Sequence, residues 1–171
     1  DRPIIVTLTG TDLYGDLETD PDARRSLEFA WRLIVLQPRG IDALPEPMRT
    51  KARVVYQSVD VRDWPAPDPT ATEPSEFRFD VCVIGHLRDV KDPFRTAEAA
   101  RLLPAASSIR VTHLGHAMSE EMAIRARKED ADNPRYRWLG ELPRAQVLGI
   151  LARSKLLVLT SRREGGANVI S

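Results

Sequence analysis

The sequence contains a single cysteine, no excess of either charge and no long apolar run. Among its 171 residues, 25 Lys and Arg balance 25 Asp and Glu, so the formal net charge is zero. Proteins that coat nucleic acid need a basic surplus to neutralise phosphates, so we expect no nucleic-acid partner. The lone Cys82 excludes an internal disulfide, and the apolar residues around it predict a buried, unreactive thiol.

Apolar runs are short throughout the chain. The longest of them, such as residues 33–36 and 156–159, fall far below the roughly 18 apolar residues that span a bilayer. The first residues also lack the basic-then-apolar pattern of a signal peptide. The sequence therefore predicts no membrane span and a cytoplasmic location.

Short apolar runs alternate with helical spacings, which predicts an α/β fold with parallel sheets. Asp20 followed by Pro21 predicts a helix start, because an acidic N-cap before proline suits the first helical turn. We expect Trp31 in the core. Tyr136 and Trp138 are also expected there, and the alternative is that their rings stack against a ligand. The predicted strands cover residues 3–8, 33–36, 54–56, 79–84, 108–114, 136–139 and 156–160. The later predicted helices cover residues 45–52, 93–103, 120–128 and 144–151.

A proline-rich stretch interrupts this alternation. Between residues 60 and 76, four prolines stand among small and polar residues without apolar periodicity. Such a stiffened, extended stretch is typical of a linker between two units. We therefore expect a first domain over residues 1–60, a linker over 61–77 and a second domain over 78–171.

The loops after the strands hold the candidate ligand-binding residues, because open α/β sheets bind ligands beyond the carboxyl ends of their strands. The strand at 79–84 is followed by Gly85, His86, Arg88 and Lys91. Two fixed cations at this place suit a diphosphate. The alternative is a solvated charged loop whose own acidic residues pair with these cations.

A second candidate is the glycine pair Gly165 and Gly166 after the last predicted strand. Glycines let a ligand approach the backbone closely, and a helix beginning near Asn168 would add free N–H groups for a phosphate or an oxyanion on a sugar. The alternative is a plain turn.

Two other patterns are weaker. A pair of glycines near the start has the spacing of a phosphate-binding loop, but Asp16 and Leu17 stand where that loop needs lysine and a hydroxyl residue. His113 and His116 have a spacing that could bind a metal, yet no cysteine or carboxylate stands at a matching distance on another element, apart from a solvated glutamate pair. We expect no metal.

The candidate loops, taken in this order, resemble those of GT-B glycosyltransferases of the family-4 type. Residues 85–91 match that family's Gly-Arg-Leu-three-residues-Lys loop, with His86 in place of the arginine and Arg88 as a substitute cation. Residues 164–171 match its Glu-seven-residues-Glu motif up to the last position. Residues 9–12 resemble its loop on the cleft face of the first domain.

Several stretches resemble one branch more closely, the family-4 glycosyltransferases that act as selenosugar synthases in selenoneine biosynthesis. These stretches are residues 8–14, 35–37, 84–93, 135–142 and 164–169. The resemblance implies a GT-B fold of two Rossmann-like, doubly wound domains. It also implies that this chain is an internal portion of a longer enzyme, incomplete at both ends.

The activity that the resemblance implies is transfer of N-acetylglucosamine from its UDP derivative to the selenium of selenophosphate, which forms a carbon–selenium bond. One alternative is an ordinary family-4 transferase with a sugar acceptor. Another is a fragment that binds a nucleotide sugar without turnover. No cofactor is expected, because the UDP-sugar is a substrate.

The resemblance also assigns roles to residues. Arg88 and Lys91 would stabilise the charge that grows on the departing β-phosphate, and Glu164 would bind hydroxyls of the donor sugar. The acceptor is expected near Gly10, Thr11 and Asp12. The implied donor-binding residues are Gly85, His86, Trp138, Leu139, Leu142, Gly165, Gly166, Ala167, Asn168 and Val169.

Overall fold

The computed structural model describes residues 2–60 and 79–170, which form two compact units. The first unit contains residues 2–60 together with 163–170, and the second contains residues 79–162. The predicted linker, residues 61–77, lies outside the described residues.

The first unit is built on a parallel sheet with the strand order β1-β2-β3. Its strands are β1 (Ile5–Leu8), β2 (Arg32–Val35) and β3 (Ala52–Val54). A π-helical turn at Asp12–Asp16 is followed by the helices α1 (Leu17–Thr19), α2 (Pro21–Phe29), α3 (Arg39–Asp42) and α4 (Glu46–Arg49).

The core of the first unit follows from the alternation of apolar side chains along β2. Leu33 and Val35 are fully buried, and Leu27 of α2 belongs to the same cluster. Helix α2 starts as predicted, because the Asp20 carboxylate accepts a hydrogen bond from the backbone N–H of Asp22 at 2.8 Å. The N-cap therefore fixes where the amphipathic face of α2 begins.

Two details of the prediction for this unit are wrong. The side chain of Trp31 is 54% exposed, because α2 ends at Phe29 and Trp31 lies beyond the buried helical face. The Arg32 guanidinium covers its ring instead, at 4.5 Å from the centroid. The predicted helix over residues 45–52 is only the single turn α4, and β3 begins earlier than expected, at Ala52.

The second unit has a four-stranded parallel sheet with the order β6-β5-β4-β7. Its strands are β4 (Phe79–Ile84), β5 (Ile109–Leu114), β6 (Tyr136–Trp138) and β7 (Leu156–Leu157). The helices are α5 (Arg95–Arg101), α6 (Glu120–Asp132) and α7 (Arg144–Arg153). The predicted α/β class with parallel sheets is confirmed.

The last predicted strand is shorter than the apolar run suggested. Strand β7 pairs with β4 through Leu156 and Leu157, and the Val158 N–H donates one further bond to the Cys82 carbonyl at 2.9 Å. Beyond the strand, the Thr160 hydroxyl donates to the Lys91 carbonyl at 2.9 Å. Residues 158–161 therefore lie beside the loop that follows β4.

Burial of the single thiol is confirmed. Cys82 lies in β4 with no exposed surface, and burial raises the pKa of its thiol to about 11. The thiolate is therefore scarce near neutral pH, which leaves Cys82 unreactive. No helix within residues 2–60 and 79–170 is long and apolar enough to cross a membrane.

Candidate functional site

A small cleft, open to solvent, lies at the carboxyl ends of β4, β5 and β7 in the second unit. Three of the predicted site residues, Gly85, His86 and Lys91, line it. The remaining lining residues are Val83, Ile84, Pro93, His113, Val158, Leu159, Thr160 and Ser161. The cleft is thus where open α/β sheets bind their ligands.

The loop after β4 is held by backbone hydrogen bonds to the loop after β5. Gly85 N–H donates to the Leu114 carbonyl at 2.9 Å, and Leu87 N–H donates to the His116 carbonyl at 2.9 Å. Met118 N–H returns a bond to the Leu87 carbonyl at 3.1 Å. Because Leu87 is also fully buried, the backbone at the cleft is anchored on both sides of His86.

A buried histidine supports this loop from below. His113 Nε2 lies 3.1 Å from the Gly85 carbonyl oxygen, and its Nδ1 lies 3.0 Å from the Tyr136 hydroxyl. A carbonyl only accepts, so Nε2 carries the proton, and Nδ1 accepts from the tyrosine. Burial lowers the pKa of His113 to about 4, and burial also raises the pKa of Tyr136. Both groups are therefore neutral.

The neutral state of His113 makes the stability of the fold depend on pH. Its folded pKa, about 4, lies below the ordinary value of 6.5, so the unfolded chain binds the proton first as the pH falls. Stability is complete above about pH 6.5 and declines toward pH 4. Between pH 7 and pH 5 we expect a loss of about 2 kcal/mol from this group.

Urea unfolding at the two pH values measures that loss. His113→Gln provides the comparison, because glutamine does not titrate, and its stability should change by about 2 kcal/mol less between pH 7 and pH 5. If the variant and the wild type lose the same stability between pH 7 and pH 5, His113 is not the titrating group.

Lys91 reaches the cleft from a short 3-10 turn, Asp89–Lys91. The turn is held from the other side of the cleft, since Arg162 N–H donates to the Val90 carbonyl at 2.9 Å. Asp92 follows in a left-handed conformation, and the Arg95 guanidinium at 2.8 Å lowers the pKa of its carboxyl. Asp92 thus forms an ion pair with Arg95, the first residue of α5.

Arg88 is exposed beside this turn and does not line the cleft, although the prediction groups it with Lys91. The predicted residues after β6 also lie outside the lining. The Trp138 indole N–H donates to the Gly115 carbonyl at 3.0 Å, and its half-buried ring packs against both apolar clusters of the unit. Leu139 is exposed and Leu142 is half-buried.

The predicted acceptor-side residues lie in the first unit. Gly10 and Thr11 follow β1, and the Asp12 carboxylate accepts hydrogen bonds from the Thr9 N–H at 2.9 Å and the Thr9 hydroxyl at 2.7 Å. Asp12 thereby closes the turn after β1. These hydrogen bonds give the Asp12 carboxylate a structural role.

The segment that carries Glu164 also packs in the first unit. A Cβ added at Gly165 would lie 2.5 Å from the carbonyl carbon of Thr9 and 2.6 Å from the nitrogen of Gly10. Gly165 is buried, so its missing side chain lets two backbone segments touch. Residues 163–170 therefore join the first unit, whereas the sequence prediction includes them in the second domain.

The sequence patterns did not single out Gln37 as a site residue. Its side-chain Nε2 donates to the Glu164 carbonyl at 2.9 Å and lies 3.4 Å from the Tyr14 hydroxyl. The only sequence signal was its place in a stretch that resembles the selenosugar branch. The remaining predicted residues of the segment are Gly166, Ala167, Asn168 and Val169, the last two in a 3-10 turn, Asn168–Ile170.

The structure thus divides the predicted site between the two units. Gly85, His86 and Lys91 come together in the second unit, and Gly10 comes together with Gly165 in the first. Within the described residues, no group of three or more His, Cys, Asp or Glu side chains could hold a metal ion.

Comparisons with solved structures define the class of this fold. Anabaena HepE in complex with UDP and glucose is 17% identical, with a TM-score of 0.72 over 99% of this chain and 49% of its own. The pneumococcal O-GlcNAc transferase GtfA in complex with UDP and GlcNAc is 15% identical, with a TM-score of 0.61 over 98% of this chain and 35% of its own. A variant of S. aureus TarM, in a complex that includes UDP, is 13% identical, with a TM-score of 0.67 over 96% of this chain and 33% of its own.

The predicted fold is confirmed: the chain has the parallel α/β architecture of GT-B proteins. It spans about half or less of the length of these similar structures. No family model matches the chain, and no curated protein matches it.

Proposed function

We propose that this chain belongs to a glycosyltransferase that moves a sugar from a UDP-sugar donor. The observation that carries the proposal is the cleft at the carboxyl end of β4, lined by Gly85, His86 and Lys91 in a GT-B fold. Supporting it, the similar structures of HepE, TarM and GtfA were all determined with UDP.

The chemistry of the cleft suits departure of a nucleoside diphosphate. When the bond between the anomeric carbon and the β-phosphate oxygen breaks, negative charge grows on that phosphate. In this proposal the ammonium of Lys91 stabilises that charge within the cleft, and Arg88, which is exposed outside the lining, adds positive charge nearby. Glu164 binds hydroxyls of the sugar and orients the anomeric carbon, while residues 10–12 face the acceptor.

For the acceptor we propose selenophosphate, and the resemblance of residues 84–93 and 164–169 to selenosugar synthases supports this. Its selenium attacks the anomeric carbon, UDP leaves, and the phosphoryl group initially remains on selenium. Because selenophosphate is an anion, the reaction needs no strong base to activate it. A conventional oxygen acceptor such as a sugar is the second candidate, since the structurally similar GtfA is an O-GlcNAc transferase.

Release of UDP from UDP-N-acetylglucosamine tests the activity and the acceptor together. The full-length protein is incubated with the donor and either selenophosphate or simple sugars, with inorganic phosphate as the control anion. Release that requires selenophosphate supports the selenosugar function. Release only with sugars overturns that acceptor but keeps the glycosyltransferase, and tight UDP-sugar binding without release identifies a binding module.

Lys91→Ala tests the assignment of the cleft itself. Loss of the ammonium should lower kcat/KM for UDP release about 100-fold, the size expected for one group that stabilises transition-state charge. Lys128→Ala is the matched control, because Lys128 is an exposed lysine of α6 that pairs with Asp132. If both variants retain wild-type rates, the cleft is not the site of the reaction.

A further inference from the structure

The side chain of Gln37 binds the main chain at Glu164. Its Nε2 donates a hydrogen bond to the Glu164 carbonyl at 2.9 Å, and the Tyr14 hydroxyl oxygen, at 3.4 Å, lies within reach of its second hydrogen. A carbonyl only accepts, so the nitrogen of the glutamine amide, rather than its oxygen, faces Glu164. The bond therefore has a defined donor, acceptor and direction.

The main chain that carries Gln37 is itself fixed in the first unit. Gln37 lies two residues after β2, and its carbonyl accepts a hydrogen bond from the Gly40 N–H at 3.0 Å. Gly40 is buried, and a Cβ added there would lie 2.8 Å from the Val35 side chain. Tyr14 packs against the same core. The amide of Gln37 is thus presented from a well-packed part of the unit.

The segment that receives this bond packs on the first unit at neighbouring positions too. A Cβ added at Gly10 would lie 3.3 Å from the Glu164 Cα, and one added at Gly15 would lie 3.1 Å from a guanidinium nitrogen of Arg163. These are packing contacts, which constrain direction less than a hydrogen bond does. Gln37 adds a directed bond at Glu164 itself.

We infer that Gln37 is a positioning residue for sugar transfer, which acts by fixing the main chain at Glu164. The inference rests on the proposed function, in which the Glu164 carboxylate binds hydroxyls of the donor sugar. That carboxylate orients the anomeric carbon only if its own main chain is held, and a misplacement of about 1 Å can lower a rate about 100-fold. Because Gln37 acts through Glu164, its loss should lower kcat and leave the affinity for UDP nearly unchanged.

Gln37→Met keeps the length of the side chain and removes its N–H groups. We expect the full-length variant to release UDP from UDP-N-acetylglucosamine with a kcat about 10-fold below wild type, using the acceptor that supports release in the wild-type protein. The Kd for UDP should stay within about 2-fold of the wild type, because UDP lacks the sugar that Glu164 orients.

Gln57→Met is the matched control for Gln37→Met. Gln57 is an exposed glutamine whose side-chain oxygen would lie 3.4 Å from a Cβ added at Gly166, so it stands beside the same segment. Its variant should keep the wild-type kcat. Equal losses in the two variants would show that any change beside the segment lowers the rate, and would overturn the inference.

A double-mutant cycle with Glu164→Gln separates positioning from a structural role. If Gln37 acts through the Glu164 carboxylate, Gln37→Met should lower kcat by less than about 2-fold in the Glu164→Gln protein, where the group to be positioned is already lost. A loss of about 10-fold in both backgrounds overturns the inference and leaves the proposed function intact. A wild-type protein that releases no UDP overturns the proposed function, and the inference falls with it.

Hydrogen exchange provides a measurement that needs no substrate. Gln37→Met should increase exchange in residues 163–170, whereas Gln57→Met should leave it at the wild-type level. Unchanged exchange in Gln37→Met would show that this bond does not hold the segment, and would contradict the inference whatever the kinetics give.

Discussion

Gly115→Ala is expected to lower the free energy of unfolding by about 4 kcal/mol, the sum of backbone strain and overpacking. Gly115 has a φ of 147°, which side chains rarely allow, and an added Cβ would lie 2.1 Å from the Gly85 carbonyl oxygen. That oxygen is also the partner of His113 Nε2. The substitution would therefore push the loop after β4 off its support and deform the cleft, so UDP affinity should fall as well.

Two other glycines provide the controls for Gly115→Ala. Gly140 has a φ of 68° with no atom within 4 Å of an added Cβ, so Gly140→Ala measures the backbone strain alone, about 1 to 2 kcal/mol. Gly85→Ala adds a Cβ with no atom within 4 Å and should change stability little. Urea unfolding of the three variants tests this order. A Gly115→Ala variant as stable as Gly140→Ala would show that the loop can move aside.

The α/β architecture could be predicted from the sequence because it depends on local patterns. The Asp20 N-cap and the alternation through Leu33 and Val35 are signals within a few residues of each other, and the structure confirms the helix and the buried strand that they predict. The predicted burial of Trp31 was wrong because its position relative to the end of α2 decides its exposure. Boundaries such as this depend on tertiary packing, which spacing alone does not encode.

The candidate site could be predicted only in part, because it too depends on tertiary packing. Position after a strand was enough to select Gly85, His86 and Lys91, which the structure brings to one cleft. His113 was considered only as a possible metal ligand, whereas its two ring nitrogens hold a carbonyl and a tyrosine hydroxyl. Gly85 lies in the loop after β4 and Tyr136 on β6, both far from His113 in the sequence, so no local spacing identifies them.

Gly165→Ala is the prediction that separates two explanations of the glycine pair. An added Cβ at position 165 would lie within 3 Å of the backbone of Thr9 and Gly10, and backbone atoms cannot rotate away from it. We expect a loss of about 3 kcal/mol, with residues 163–170 detached from the first unit. The bond from Gln37 to the Glu164 carbonyl would then break, and the sugar transfer that we propose for the whole protein should fall with it.

Hydrogen exchange at residues 9–12 and 163–170 measures the detachment, and thermal unfolding measures the loss of stability. Gly149→Ala in α7 is the matched control, because its nearest atom is the end of the Arg153 side chain at 3.7 Å, and alanine in a helix should stabilise slightly. Increased exchange in both segments means that Gly165 permits contact between two parts of the backbone. If stability and exchange are unchanged but UDP affinity falls, the glycine instead makes room for the ligand, as its sequence pattern first indicated.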